Sequence, residues 1–193
     1  IIINFCFISK NIIFRNKAKI DDDIYVSGNL GDSYMGLLVL NNDIKINKLS
    51  KNYFINQYFL PDIQLKLASK LKKFANTSID ISDGLLTDLD KMINSQKISY
   101  QLKLKDIPIS HNLKKILKSK KLDKINYISK GDDYQILFTA SKNKRGIIKK
   151  VSTINRIKLT KIGVIQRHIK KSSIVDHKNR KINVKSKGYF HYF

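Results

Sequence analysis

The stretch that decides the fold reads Ser78-Ile79-Asp80-Ile81-Ser82-Asp83-Gly84-Leu85. Polar and apolar residues alternate through its first half, as they do in a β-strand, so Asp80 lies on the opposite face from Ile79 and Ile81. Beyond the glycine, apolar residues recur at helical spacing: Leu85, Leu86, Leu89, Met92 and Ile93. The pattern predicts a strand, a tight turn and a helix, with Ser82 or Asp83 capping the helix.

The same stretch carries carboxylates in an arrangement that suits a metal ion. Asp80 and Asp83 lie close together at the predicted strand-to-helix turn and can converge on one hard cation. Proteins bind Mg²⁺ through one or two carboxylates together with phosphate oxygens and water. Free N–H groups at the start of the helix would bind a phosphate, and Gly84 would let a ligand come close. The alternative is a plain helix cap, which has no need of Asp80.

Two further segments have the composition of binding loops. Lys130-Gly131-Asp132-Asp133-Tyr134 places adjacent acids before an apolar strand, where they can accept from a hydroxyl or an amine or share a metal. The alternative there is an ordinary turn. Gly28-Asn29-Leu30-Gly31-Asp32-Ser33 precedes a helix and can hold an anion through backbone N–H groups. The alternative is a tight turn that needs glycine for a positive φ.

Strands and helices alternate along the rest of the sequence. Strands are predicted at 24–27, 77–81, 97–104, 134–140 and 159–166, with a hairpin at 173–184. Helices are predicted at 34–40, 62–75, 84–95, 112–120 and 142–154, and 41–52 is predicted to be a loop. No repeat or low-complexity tract divides residues 22–184, so we expect an α+β fold in which a mixed β-sheet is packed by helices.

Composition excludes several classes of protein. The chain has 193 residues and a net charge of +23, and its single cysteine rules out an intramolecular disulfide and a cysteine-based zinc site. No apolar run approaches ~18 residues, so we expect no membrane helix. All 15 acidic residues are aspartate and 33 of the 38 basic residues are lysine, which indicates compositional drift rather than selection for nucleic-acid binding.

Taken in order, these segments resemble the thiamine-monophosphate kinase family, which shares a superfamily with aminoimidazole ribonucleotide synthetase and selenophosphate synthetase. The resemblance runs from about Arg15 to Phe193. It rests on four segments: Ile24-Tyr25-Val26-Ser27-Gly28-Asn29-Leu30-Gly31-Asp32-Ser33, Ile79-Asp80-Ile81-Ser82-Asp83-Gly84-Leu85, Gly131-Asp132-Asp133-Tyr134-Gln135-Ile136-Leu137-Phe138-Thr139 and Lys187-Gly188-Tyr189. It implies a fold like the C-terminal domain of aminoimidazole ribonucleotide synthetase.

The resemblance also implies an activity and a set of site residues. The expected reaction moves the γ-phosphoryl group of ATP onto thiamine monophosphate and gives thiamine diphosphate, with Mg²⁺ as cofactor. The implied roles are magnesium ligands at Asp80 and Asp83, ATP contacts at Arg15 and Ser82, and thiamine-substrate contacts at Asp132 and Tyr189. No catalytic side chain is assigned, because phosphoryl transfer depends on positioning and charge neutralisation.

The family pattern begins with an N-terminal domain that this sequence lacks. We therefore expect residues 1–14 to be the last strand of that missing ATP-binding domain and residues 15–193 to be the C-terminal domain. The resemblance implies a cytoplasmic homodimer when complete, no membrane or specific nucleic-acid partner, and little activity for this chain alone. Two departures stand out: Gln135 replaces a usual glutamate, and Lys130 places a cation beside Asp132.

Three alternatives stay open at this stage. Another member of the superfamily is one, although selenophosphate synthetase fits the Gly-Asp-Asp-Tyr and Gly-aromatic segments less well. A basic nucleic-acid-binding module would use the +23 charge to bind polyanions in a salt-sensitive way. An inactive remnant of the kinase is the third.

Overall fold

A computed structural model describes residues 13–168, 171–184 and 188 of the chain. The strands in this part are β1 (Asp23–Ser27), β2 (Thr77–Asp80), β3 (Ile98–Lys103), β4 (Ile136–Ala140), β5 (Leu159–Arg167) and β6 (Ser173–Val175). The helices are α1 (Asp32–Leu40), α2 (Lys48–Phe59), α3 (Leu65–Ala68), α4 (Leu85–Met92), α5 (His111–Ser119), α6 (Ile125–Ile128) and α7 (Arg145–Asn155). Short 3-10 turns lie at Leu71–Lys73, Leu104–Asp106 and Lys142–Lys144.

The strands form one mixed sheet in the order β2-β4-β1-β5-β3-β6. Neighbouring strands are antiparallel except β3 and β6, which are parallel. β1 lies inside the sheet, between β4 and β5, and all five of its residues are buried. The α+β architecture with a mixed sheet and packing helices is therefore confirmed.

Apolar side chains cover both faces of the sheet, because successive residues of a strand point to opposite faces. Ile24 and Val26 of β1 belong to the core shared with α4. Tyr25, between them, belongs to the core shared with α7 and stacks on Phe138 with ring centroids 5.2 Å apart. The predicted face of the helix after Gly84 is confirmed as buried: Leu85, Leu86, Leu89, Met92 and Ile93.

An ion pair joins the centre of the sheet to α7. The carboxylate of Asp23 is buried, 2.5 Å from Nε of Arg145 and 2.6 Å from Nζ of Lys161. Burial works to raise the pKa of Asp23, but hydrogen bonds and charges from Arg145 and Lys161 outweigh it and hold the pKa below its ordinary value. The ionised form of Asp23 therefore stabilises the fold.

The loop predicted over 41–52 is wrong in its second half, where α2 begins. The side-chain oxygen of Asn47 accepts a hydrogen bond from the N–H of Ser50 at 2.9 Å and so caps this helix. Phe54 is the only residue of α2 that is fully packed away from solvent. Helices are predicted from a broad apolar stripe in the sequence, and α2 has no such stripe.

The single helix predicted over 62–75 is also wrong. The chain makes the short α3 and then a separate 3-10 turn, and Ile63 is 63% exposed rather than buried. The other apolar residues of the predicted stripe are buried: Leu67, Leu71 and Phe74. Two tight turns bury these side chains without a continuous helix. Hydrogen bonds between residues three apart, such as Lys70 N–H to Leu67 O at 2.8 Å, replace the four-residue spacing of an α-helix.

The remaining predicted elements are confirmed with shifts of a few residues at their ends, and the four-residue α6 was not predicted. In the predicted hairpin, Val175 and Lys181 form an antiparallel bridge, and the N–H of Ile182 donates to Ile174 O at 2.9 Å. Most of the strand expected at 1–14 lies outside the described residues. Within the described part of the chain, no helix has the length and apolar character to cross a membrane.

Candidate active site

The segments around Asp83 and Asp132 lie side by side, although they are far apart in the sequence. The ladder between β2 and β4 ends at the pair Asp80 and Ile136, but backbone pairing continues past it. The N–H of Ile81 donates to Gln135 O, that of Tyr134 to Ile81 O, and that of Asp132 to Ser82 O, each at 2.9 Å. The two motifs of the sequence are therefore one local structure at the end of the sheet.

Glycines allow this close approach. Gly131 has φ +85°, and a Cβ there would lie 2.1 Å from Ser82 O. Gly84 has φ +119°, and a Cβ there would lie 2.2 Å from Ser129 O. Both conformations are ones that side chains rarely adopt, and both contacts are with backbone that cannot move aside. Gly188 lies against the same turn, since a Cβ added at this position would lie 2.6 Å from the carbonyl oxygen of Asp83.

An open cleft of about 730 Å³ lies over the junction of the two motifs. Its lining combines charged, hydroxyl and aromatic side chains: Ser82, Asp83, Lys130, Asp132, Tyr34, Leu37, Tyr58 and Tyr134. Three residues predicted as site residues, Ser82, Asp83 and Asp132, therefore meet in one place. This size suits a small organic ligand.

Asp80 is exposed at the end of β2 and borders a different, more open depression of about 320 Å³. Its negative charge nevertheless acts on Tyr134, a residue of the cleft. Burial raises the pKa of Tyr134, and the negative charges of Asp132, Asp80 and Asp83 raise it further. Asp83 and Asp132 thus share the cleft directly, and Asp80 adds its charge from the adjoining surface.

The free N–H groups expected at the start of α4 are not free. The Oδ2 atom of Asp88 accepts hydrogen bonds from the N–H groups of Ser82 at 2.9 Å, Asp83 at 2.8 Å and Gly84 at 3.1 Å. The expected side-chain cap by Ser82 or Asp83 is therefore wrong, because α4 folds its own first-turn carboxylate back over its N-terminus. Burial raises the pKa of Asp88, and these hydrogen bonds oppose the rise.

The two acids of the second motif have different surroundings. Asp132 is half-buried in the cleft, whereas Asp133 is buried and accepts from the N–H of Gly31 with both oxygens at 2.9 Å. Burial raises the pKa of Asp133 well above its ordinary value. Asp133 thus ties its turn to the start of α1 and lines no described part of the cleft. The turn at Gly28–Ser33 donates a backbone N–H, that of Gly31, to a side chain of the chain itself, the carboxyl group of Asp133. Gly28 and Gly31 both have positive φ, as the tight-turn alternative requires.

Lys91 sits beside the proposed metal ligand. Its Nζ contacts Oδ2 of Asp83 directly and lies 3.5 Å from Oδ1 of Asp88. No cluster of three or more His, Cys, Asp or Glu side chains able to hold a metal occurs among the described residues. Carboxylates such as those of Asp80 and Asp83 are donors that Mg²⁺ accepts together with phosphate oxygens and water, but the two side chains border different openings. Lys91 would have to release Asp83 before Asp83 could bind a metal.

Two predicted site residues are not brought to the cleft by the described structure. Arg15 is exposed. Its neighbours are hydrogen-bonded to the first residue of β2 and the last residue of α4: Phe14 O accepts from the Thr77 hydroxyl at 2.8 Å, and Asn16 N–H donates to Met92 O at 2.9 Å. Arg15 is thus at the opposite end of β2 from Asp80. Tyr189 lies outside the described residues.

Comparison with known proteins gives one consistent result. No family model matches the chain. A curated thiamine-monophosphate kinase from Buchnera aphidicola subsp. Acyrthosiphon pisum (strain APS) is 36% identical over 185 residues, which cover 93% of this chain and 55% of that protein. The solved thiamine-monophosphate kinase of Stenotrophomonas maltophilia K279a is 25% identical, with a TM-score of 0.73 over 87% of this chain and 54% of its own.

A solved complex of AaThiL with AMPPCP and TMP has a TM-score of 0.72 and 26% identity. The match covers 91% of this chain and 53% of the solved one. The chain therefore spans about half the length of the curated and solved proteins that it matches.

Proposed function

Because the chain is homologous to thiamine-monophosphate kinases over 93% of its length, we propose that it forms part of the active site of such a kinase. The proposed reaction transfers the γ-phosphoryl group of ATP to thiamine monophosphate and gives thiamine diphosphate, in thiamine biosynthesis. The observation that carries the proposal is the single cleft lined by Asp83 and Asp132. The AaThiL complex supports both substrates, since AMPPCP is an analogue of ATP.

The side chains of the cleft suit the requirements of phosphoryl transfer, which are positioning and charge neutralisation. Asp80 and Asp83 would hold Mg²⁺, which when bound would neutralise charge on the phosphates. Ser82, on the same turn, would contact ATP, and Asp132 would attract the positively charged ring of the thiamine substrate. Roles for Arg15 with ATP and for Tyr189 with the substrate remain part of the proposal.

We propose further that this chain acts together with the half of the relatives that it does not match, a domain N-terminal to it, and as a homodimer when complete. Support comes from four exposed apolar side chains in the segment that follows Tyr58, a residue of the cleft: Phe59, Leu60, Ile63 and Leu65. The Gln135 side chain donates to Asp62 O at 3.1 Å and so holds this segment against the start of β4. Exposed apolar groups that cluster on a surface mark interaction sites. ATP, the proposed phosphoryl donor, is a cytoplasmic metabolite, and we propose that the protein acts there.

A chimaera tests the proposal. This chain would replace the matching region of the Buchnera thiamine-monophosphate kinase, and formation of thiamine diphosphate would be measured with ATP, Mg²⁺ and thiamine monophosphate. We expect turnover by the chimaera and none by the purified 193-residue chain. A folded chimaera without turnover, beside an active unaltered relative, would contradict the proposed function. Turnover by the chain alone would contradict only its need for a second half.

A further inference from the structure

We propose that Tyr34, Tyr58 and Tyr134 form an aromatic wall that binds the face of a positively charged heteroaromatic ring in the cleft. The identity of that ring as the thiazolium of thiamine monophosphate rests on the proposed function. The wall goes beyond the residues that the sequence resemblance implies, since Asp132 and Tyr189 are the substrate contacts expected from it.

The three tyrosines reach the same cleft from three separate parts of the fold. Tyr34 is on α1, Tyr58 is near the end of α2, and Tyr134 is in the turn before β4. Tyr34 and Tyr58 are half-buried, so each ring is partly packed and partly available to a ligand. Convergence of rings from unrelated segments on one opening differs from ordinary core packing, where the rings would be enclosed.

The backbone of Tyr134 is held in an unfavourable conformation. Its φ is +50°, a region that aromatic residues rarely adopt, and its side chain remains 42% exposed. The N–H of Tyr134 is bonded to Ile81 O at 2.9 Å, so the pairing of the two motifs maintains the strain. Residues in such conformations concentrate at ligand sites, where the surrounding structure fixes them.

The other two rings are supported from behind. A Cβ at Gly36 of α1 would lie 2.2 Å from Phe54 O and 2.8 Å from Cβ of Tyr58, so this glycine lets α1 and α2 touch and places Tyr58 beside the cleft. The ring of Tyr34 packs on that of Tyr127 with centroids 5.8 Å apart. Rings that are fixed before binding lose little conformational entropy when a ligand arrives.

The charges beside the wall select the ligand. Aromatic faces attract cations, and Asp83 and Asp132 add negative charge in the same cleft. Lys130 lines the cleft as well and supplies the opposite charge. A ligand with a cationic ring and a phosphate group matches this combination better than a neutral ring does.

Binding of thiamine to the purified chain, measured by calorimetry, tests the wall. Thiamine carries the ring cation without a phosphate, and thiochrome is its neutral tricyclic relative. We expect Tyr58→Ala and Tyr134→Ala each to raise the Kd for thiamine about tenfold, and Tyr58→Phe and Tyr134→Phe to change it less than about twofold. Thiochrome should bind more weakly than thiamine. Phe14→Ala is the control, since Phe14 is an exposed ring at the far end of β2.

Three results would overturn the inference: no saturable binding of thiamine by the unaltered chain, unchanged affinity in folded alanine variants, or binding of thiochrome as tight as that of thiamine. If the alanine variants instead weaken ATP and leave thiamine unaffected, the rings stack on adenine and the inference is also wrong.

The chimaera separates this inference from the proposed function. Kinase activity that is indifferent to Tyr58→Ala and Tyr134→Ala would overturn the wall and leave the kinase standing. Thiamine binding that depends on the tyrosines, in a chimaera without kinase activity, would support the aromatic wall and contradict the proposed kinase function.

Discussion

The backbone N–H of Asp83 donates a 2.8 Å hydrogen bond to the side chain of Asp88, one turn further along the chain. The turn that presents the proposed metal ligand is therefore held by the helix that follows it. In the same way, the side chain of Asp133 holds the turn before α1 by accepting a hydrogen bond from the N–H of Gly31. Side chains of the chain itself therefore occupy both sets of N–H groups, so the proposed ligand contacts in the cleft fall to its side chains rather than to these backbone groups.

Replacing Asp88 by alanine should destabilise the protein. Three N–H groups would lose a charged acceptor, and we expect the free energy of unfolding to fall by roughly 2 kcal/mol. Urea unfolding measures this, with the exposed Asp123→Ala as control, which should change stability by less than about 0.5 kcal/mol. Sulfate should stabilise Asp88→Ala more than the unaltered chain, because an anion can then take the place of the Asp88 carboxylate at these N–H groups. Equal unfolding free energies would contradict this role of Asp88.

Gly131→Ala tests whether the two motifs must touch. The new Cβ would lie 2.1 Å from Ser82 O in a backbone with φ +85°, so we expect a loss of about 2 kcal/mol or more in unfolding free energy. Gly146→Ala is the matched control, since nothing lies within 4 Å of its Cβ position in α7. That change should instead stabilise the chain by about 0.4–1 kcal/mol. A Gly131→Ala variant as stable as the Gly146→Ala control would contradict the close contact between the backbone at Gly131 and Ser82 O.

The sequence was sufficient to predict most of the fold because the central elements carry clear apolar patterns. β1 and β4 contain short continuous apolar runs, α4 shows helical apolar spacing, and each element is buried as its pattern requires. α2 was missed since it buries only Phe54 completely. The region around α3 was predicted as one helix because two tight turns bury the same apolar residues.

The candidate site was predictable in part for a different reason. Ser82, Asp83 and Asp132 stand out by residue type, and their meeting follows from the pairing of β2 with β4. The roles of Asp88 and Asp133 were not predictable, since a side chain that folds back on a distant N–H leaves no periodic signal. Tyr58 was missed along with the helix that carries it.

Acid should weaken the ion pair of Asp23. Its folded-state pKa is lowered, so its contribution to stability is fully present above the ordinary value of 3.8 and is lost as the pH falls through the folded-state pKa. We expect the unaltered chain to be more stable than Asp23→Asn above pH 3.8, and the difference to shrink as the pH falls below that value. Urea unfolding across this range measures it, with Asp123→Asn as control. A difference that is constant with pH would contradict the assigned ion pair.

Lys91 should compete with magnesium for Asp83. Since its Nζ contacts the Asp83 carboxylate, Lys91→Met should lower the Mg²⁺ concentration needed for half-maximal activity of the chimaera, by roughly threefold to tenfold. Lys97→Met removes an exposed lysine elsewhere and should leave the Mg²⁺ requirement unchanged. An unchanged requirement in Lys91→Met would mean that Asp83 does not bind the metal or that Lys91 does not compete for it.

The central claim is that Asp83 and Asp132 belong to one kinase site. Steady-state kinetics of the chimaera carrying Asp83→Asn or Asp132→Asn test it most directly. We expect Asp83→Asn to lower kcat at least about 100-fold and to raise the Mg²⁺ requirement, since phosphate charge would go unneutralised. Asp132→Asn should chiefly raise KM for thiamine monophosphate, with a smaller effect on KM for ATP. Folded variants that both keep the kcat and the KM values of the unaltered chimaera would contradict the claim.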